Sequence, residues 1–181
     1  MTGLPSTGAS HELNATPIPE TIVLIGPPAA GKTRIGRRLA QRLDVPYIDT
    51  DRVIVSGHGA IPRIFAEHGE AYFRRIEREA VRDALTSPAV VSLGGGAVLD
   101  PETQDDLASK TVILLTVTEQ AVLERIDNAK RPLVTGIDAW RRIVAERAAL
   151  YASLADFTVD TSFRPVAPIA DEIAAWLKEN K

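Results

Sequence analysis

The chain has no cysteine. That excludes disulfides, thiolate catalysis and cysteine-based zinc sites, and it suits a reducing cytoplasm. No apolar run approaches the roughly 20 residues needed to span a bilayer. The N-terminus lacks a basic segment followed by an apolar stretch, so no signal peptide is expected. Long basic runs are missing too. With 21 Lys and Arg against 24 Asp and Glu the net charge is −3, which gives no reason to expect non-specific binding to nucleic acid or membranes. Outside residues 1–19 there is no low-complexity tract, and there is no internal repeat. What remains is 181 residues, 45% hydrophobic and 25% charged, an ordinary length and balance for one domain with a real core.

The most informative segment is Gly26-Pro27-Pro28-Ala29-Ala30-Gly31-Lys32-Thr33. It is a complete G-x-x-x-x-G-K-[ST] loop. An apolar run, Thr21 to Ile25, precedes it, and a helical pattern, Arg34 to Leu43, follows with Ile35, Leu39 and Leu43 on one face. Strand, glycine-rich turn, helix is the context in which backbone N–H groups and a helix N-terminus cradle a triphosphate. Lys32 is placed to reach the β- and γ-phosphates, and the Thr33 hydroxyl to hold Mg²⁺.

The rest of the chain alternates strands and helices. Residues 1–19, rich in Thr, Ser, Pro, Gly and Ala, have no hydrophobic period and read as a disordered tail. Strands are expected at 21–25, 45–49, 89–93, 111–117 and 157–160. Helices are expected at 34–43, 70–86, 101–109, 118–127, 138–154 and 166–179, with two short ones at 51–56 and 61–68 broken by Gly57, Gly59 and Pro62. This order predicts a parallel sheet covered on both faces, with ligands beyond the carboxyl ends of the strands.

Several residues at those strand ends and helix faces have two readings. In Asp49-Thr50-Asp51 a side chain caps the next helix, or one carboxylate serves a Mg²⁺ shell and the other an acceptor hydroxyl; the phosphate loop nearby favours the second. Gly94-Gly95-Gly96 is a loose turn, or a place where a ligand approaches the backbone closely. Ser92 caps a strand end or touches the Mg²⁺ water shell. Arg147 lies in line with the apolar stripe Trp140, Ile143, Val144, Leu150, Tyr151 and Leu154, so it snorkels or meets an anion in a cleft. Arg74 and Glu77, one turn apart, form a surface ion pair, or Glu77 aims Arg74 at a substrate carboxylate. Arg131-Pro132, in the polar stretch 128–136, belongs to a plain connection or to a lid that brings Arg131 to the transferring phosphoryl group.

Taken in order, D-T-D at 49–51, F-R-R-x-E at 73–77, G-G-G-A at 94–97, R-P-L at 131–133 and R-x-x-L-Y at 147–151 closely resemble the shikimate kinases, small P-loop enzymes of aromatic amino-acid biosynthesis. The resemblance runs from about Ile22 to Trp176. It implies an α/β P-loop kinase fold: a five-stranded parallel sheet flanked by helices on both faces, in a single domain over 20–181. The acceptor region would span about 49–80 and a mobile lid about 126–137. It implies transfer of the γ-phosphoryl group of ATP to the 3-hydroxyl of shikimate, with Mg²⁺, in a cytoplasmic and monomeric enzyme. Asp51, Arg74, Gly95 and Arg147 then match the shikimate contacts, and Glu77 holds Arg74. Thr33, Asp49 and Ser92 match the Mg²⁺ shell. Lys32, Arg131 and Asp51 are the candidate catalytic groups. Gly26, Ala29, Ala30, Gly31 and Arg34 complete the nucleotide loop. Arg125 matches the adenine-stacking arginine, Arg164-Pro165 closes the adenine pocket, and Phe65 and Phe73 line the shikimate pocket. The departures cluster at the lid. Arg125 stands six positions before Arg131, one fewer than the family's usual spacing, the link from Arg131 to Arg147 is a few residues short, and Ala149 replaces a usual proline. His58 and His68 fall in the acceptor region without an assigned role. One rival reading is a kinase for another small hydroxy acid or sugar acid. A GTP switch would need N-K-x-D and D-x-x-G, and neither occurs.

Overall fold

A computed structural model describes residues 20–128 and 136–180. Five strands form one parallel sheet: β1 (Ile22–Ile25), β2 (Tyr47–Asp49), β3 (Val90–Ser92), β4 (Thr111–Thr116) and β5 (Phe157–Asp160), in the spatial order β2-β3-β1-β4-β5. The central strand shows why the apolar runs lack alternation. Ile22 pairs with both Val90 and Thr111, and all four β1 residues are buried. A parallel strand covered on both faces has no solvent side to mark with polar residues. Ile22 and Leu24 join a core with Ile35 and Leu39 of α1 (Lys32–Leu43) and Ile169 and Ile173 of α7 (Val166–Asn180). Val23 and Ile25 face the opposite core, with Val81, Leu107 and Tyr151.

The chain leaves β1 on one side and returns through β4 on the other. The crevice beyond the carboxyl end of β1 is therefore the topological switch point. α2 (Thr50–His58) and α3 (Ile61–Ala84) stand beside it and build a small core of their own from Ile54, Ile64, Phe73, Ile76 and Ala80. α4 (Pro101–Leu107), α5 (Glu119–Asn128) and α6 (Gly136–Leu154) complete the element order.

The structure revises several expected boundaries. Gly57 does not break its helix: α2 runs through it and stops at Gly59, whose φ is 87°. Pro62 starts α3 rather than interrupting it, because a first-turn N–H has no intrahelical acceptor to lose. The expected helices 61–68 and 70–86 are one element kinked at Gly69 (φ 78°, ψ 176°) and ending at Ala84. A 3₁₀ turn, Ala97–Leu99, follows the three glycines. α6 starts at Gly136, two residues early. The tail at 1–19 and most of the lid at 126–137, Arg131 included, lie outside the described residues; at the lid's edges, residues 126–128 close α5 and 136–137 open α6.

Candidate nucleotide and acceptor site

The loop between β1 and α1 takes positive φ at Gly26 (136°), Ala29 (66°) and Gly31 (91°). At Gly26 no other residue fits, since a Cβ would lie 2.2 Å from the Leu115 carbonyl oxygen. The loop opens at the N-terminus of α1, where unpaired N–H groups and the helix dipole favour an anion. Lys32 Nζ arches over it, donating to the carbonyls of Gly26 (2.7 Å) and Pro27 (3.1 Å). Burial lowers the pKa of this ammonium to about 8, with Asp51 and then Asp49 pulling it back up. A polyphosphate in the loop would add negative charge and raise it further.

Asp49 caps the next helix with one oxygen and faces the phosphate loop with the other. Its Oδ1 accepts from the Arg52 N–H and caps α2, while its Oδ2 accepts from Thr33 Oγ1 at 2.9 Å and from the Tyr47 hydroxyl at 3.2 Å. Register places Ser92 of β3 directly beside Asp49 of β2. Ser92 Oγ is buried and makes no hydrogen bond among the described residues. Two hydroxyls and one carboxylate on adjoining elements are hard oxygen donors of the kind Mg²⁺ takes, usually with few protein ligands and several waters. No cluster of three or more His, Cys, Asp or Glu that could hold a metal occurs among the described residues.

The three glycines form the floor of the acceptor side. A Cβ on Gly94 would lie 2.6 Å from Asp51 Oδ1 and 3.0 Å from Glu77 Oε1, and one on Gly96 would lie 2.6 Å from an Arg74 nitrogen. On Gly95 it would meet only the Tyr151 hydroxyl at 3.6 Å, Pro28 at 3.7 Å and Arg147 at 3.8 Å. Thus α3 brings Arg74 and Glu77, α2 brings Asp51, and α6 brings Arg147 to one tripeptide. Arg74 donates to Glu77 Oε2 at 2.6 Å and more weakly to Glu70. Arg147 donates to the Gly95 carbonyl at 2.9 Å, and its buried Nε makes no hydrogen bond among the described residues. Burial holds the Asp51 carboxyl above the usual carboxylate range, helped by Asp49 and opposed by Lys32. Burial pushes Glu77 in the same direction against the pull of Arg74. Phe65 and Phe73 pack with ring centres 4.6 Å apart and planes tilted by 33°, and the Arg74 guanidinium lies 5.3 Å from the centre of the Phe73 ring.

On the other side of the loop Arg125 donates to the Ala29 carbonyl at 2.6 Å and to the Thr161 carbonyl. Arg164, beside Pro165, bonds the Asp160 carbonyl at 3.0 Å and pairs with Glu172. Arg34 is exposed on the first turn of α1.

The model of the shikimate kinase family matches residues 28–178. The chain belongs to the shikimate kinase family. A shikimate kinase from Mycobacterium avium is 47% identical over 148 residues, covering 78% of this chain and 84% of that protein. One from Thermobifida fusca is 45% identical over 160 residues, covering 86% and 93%. The shikimate kinase of Acinetobacter baumannii, solved in complex with shikimate, superposes with a TM-score of 0.84 at 30% identity, covering 92% of this chain and 97% of that one. A gluconokinase from Sinorhizobium meliloti, at 18% identity and a TM-score of 0.58, shares the fold.

In this shikimate kinase some contacts of the site carry little sequence signal. Trp140 and Tyr151 sit on an apolar stripe, yet the Trp140 indole donates to the Pro28 carbonyl (2.9 Å) and the Tyr151 hydroxyl to the Gly95 carbonyl (2.6 Å). The Thr161 hydroxyl lies 2.9 Å from the Ala30 carbonyl. Tyr47 had a signal: at i and i+2 on one strand, it and Asp49 must share a face.

Proposed function

We infer that the chain transfers the γ-phosphoryl group of ATP to the 3-hydroxyl of shikimate, giving shikimate 3-phosphate and ADP. The observation that carries this reading is the convergence of Arg74 and Arg147 on the glycine floor beside Asp51, within reach of a complete phosphate loop. Two guanidiniums at one spot suit a carboxylate, because paired N–H bonds fix orientation as well as charge. Shikimate has that carboxylate, and ring hydroxyls to turn toward Asp51.

The residues divide the work. Gly26, Ala29, Ala30, Gly31, Lys32, Thr33 and Arg34 hold the phosphates, and Arg125, Arg164 and Pro165 border the base. Arg74, Arg147 and Gly95 bind the acceptor, and Glu77 keeps Arg74 aimed. Asp51 orients the 3-hydroxyl or accepts its proton. The hydroxyl oxygen forms its bond to the γ-phosphorus as the bond from that phosphorus to the β,γ-bridging oxygen breaks, and ADP leaves. Lys32 stabilises the negative charge spread over the transferring group, and Arg131 is assigned the same role. Thr33, Asp49 and Ser92 fit Mg²⁺, which when bound neutralises charge on the β- and γ-phosphate oxygens. The enzyme is proposed to be cytoplasmic, monomeric and built as a single domain; among the described residues no helix is long and apolar enough to cross a membrane.

A coupled assay of ADP release tests the reading. With ATP and Mg²⁺, shikimate should stimulate release strongly, while quinate, gluconate and nucleoside monophosphates should not. Stimulation by gluconate instead would keep the phosphate chemistry and overturn the acceptor.

A further inference from the structure

Residues 27–30 of the phosphate loop form a turn closed by the Ala30 N–H on the Pro27 carbonyl at 3.3 Å. Pro28 occupies its second position and Ala29 its third, at φ 66°. Positive φ at the third position is the mark of a type II turn, and the residue wanted there is glycine or asparagine. Alanine takes it under strain, because its Cβ crowds the following carbonyl. The alternative, a type I turn, differs by a flip of the central peptide, and alanine accepts it without strain. The flip would exchange the directions of the Pro28 carbonyl and the Ala29 N–H.

Two side chains hold the strained form. The Trp140 indole N–H donates to the Pro28 carbonyl at 2.9 Å, which fixes the central peptide itself. Arg125 donates to the Ala29 carbonyl at 2.6 Å and fixes the next one. The two bonds bracket both dihedrals of Ala29. Trp140 is 4% exposed within the core that packs α1 against the sheet, so its donor is rigidly placed. Strained backbone persists only where its surroundings over-determine it.

We propose that Trp140 is a positioning residue for the nucleotide, holding the Pro28–Ala29 peptide with its carbonyl outward so that the Ala29 N–H faces the phosphates. Without the indole the peptide flips toward the relaxed turn and presents a carbonyl to an anion. This rests on the reading of the loop as the phosphate cradle, which ADP binding by the unaltered protein tests separately. If the unaltered protein bound no ADP, that reading would fall and this one with it.

The decisive experiment is a cycle of Trp140→Phe, Ala29→Gly and the double variant, with ADP affinity measured calorimetrically. Phenylalanine keeps most of the apolar contact and removes the donor. Trp140→Phe should weaken ADP about tenfold, the equivalent of one good hydrogen bond, with shikimate KM little moved. Ala29→Gly removes the strain, so the double variant should recover ADP affinity to within about twofold of Ala29→Gly alone. Unchanged affinity in Trp140→Phe overturns the proposal. So does a loss that glycine at position 29 fails to restore, because lost packing in the core would not be repaired at the loop. A spectroscopic check needs no change at Trp140. The only other tryptophan is Trp176, stacked on Phe157, so Trp176→Phe leaves one indole N–H resonance. A phosphate on the Ala29 N–H polarises the same peptide and strengthens its carbonyl as an acceptor. That resonance should be protected from solvent exchange and should shift when ADP is added. A resonance indifferent to ADP would count against the clamp.

Discussion

Asp51 occupies a position that costs the fold something when it is ionised. Burial and the neighbouring Asp49 raise its pKa, and Lys32 only partly compensates. An acid whose folded pKa lies above its unfolded value binds more protons folded than unfolded between the two. Stability therefore falls as pH rises through that window, and the native state at neutral pH carries the deficit. Asp51→Asn removes it. The variant should melt higher than the parent at pH 7, on the order of 2–4 °C for each kcal/mol relieved in a domain of this size. The gap should close as pH falls below the ordinary carboxylate range near ~4. Calorimetry of the ligand-free protein at both pH values checks this. The same variant should lose shikimate phosphorylation while still binding ADP, and a normal kcat/KM would remove Asp51 from the site. Arg147→Ala should raise shikimate KM about 10- to 100-fold, the range for losing a charge-assisted hydrogen bond. The glycine floor gives a sharper contrast. Gly94→Ala would drive a methyl into the carboxylates of Asp51 and Glu77, whereas Gly95→Ala finds room within the protein and fills only the space a ligand needs. Both should impair acceptor turnover, but only Gly94→Ala should also lower the melting temperature. Much of this site was legible because its members come as dense local patterns: the loop at 26–33, the D-T-D, the three glycines. Trp140 and Thr161 were not, since each reaches the phosphate loop at a carbonyl far away in sequence, 112 and 131 positions distant, and nothing local marks such a contact.

At the level of elements, hydrophobic periodicity located every strand and most helices, and errors fell where one residue type has two uses. Proline at the start of α3 is a helix opener, not a breaker, and Gly57 is tolerated inside α2 because the helix cap falls at Gly59. Gly69 is the opposite case. Its φ of 78° with ψ of 176° lies in a region essentially reserved for glycine. A Cβ there would meet nothing within 4 Å, so any effect of Gly69→Ala comes from backbone conformation and not from a clash. The strain is expected to cost roughly 1–3 kcal/mol. The chain relieves it either by losing stability or by straightening α3. Straightening would swing Phe65 on the first half away from Phe73 on the second, breaking a ring contact at 4.6 Å. The expected outcome is a lower melting temperature together with a higher KM for shikimate, and unchanged ADP affinity. A melting temperature and KM equal to the parent's would mean that the kink is incidental.

For the whole molecule the arrangement of cores is the deciding feature. Two large cores sandwich the sheet and share the central strand β1 between them. The phosphate loop is anchored to this rigid part. The acceptor region is built differently. α2 and α3 hold together through Ile54, Ile64, Phe73, Ile76 and Ala80, and the first half of α3 is mostly exposed. The second half of α3 reaches the sheet through Val81 and Ala84, whereas polar contacts tie α2 to it: Gly94 N–H to Thr50 Oγ1 at 3.2 Å, Thr50 to the Ser92 carbonyl at 3.3 Å, and the groups over the glycine floor. Polar contacts exchange readily for water and contribute little net stability each, so α2 and residues 61–69 should open locally more often than the strands do. Shikimate bridging Arg74 and Asp51 to Arg147 and Gly95 would close that opening, because it binds only when both sides are assembled. Amide hydrogen exchange makes the prediction concrete. Amides of α2 and 61–69 should exchange faster than those of β1 and β4 in the free protein. Shikimate at about 100 times its Kd should slow them by up to about 100-fold, the linkage limit for a ligand that binds only the closed form. ADP alone should protect the phosphate loop and leave α2 nearly unchanged. Equal exchange across α2 and β1 would show instead that the acceptor region opens only when the whole molecule does, and that shikimate finds its site already assembled.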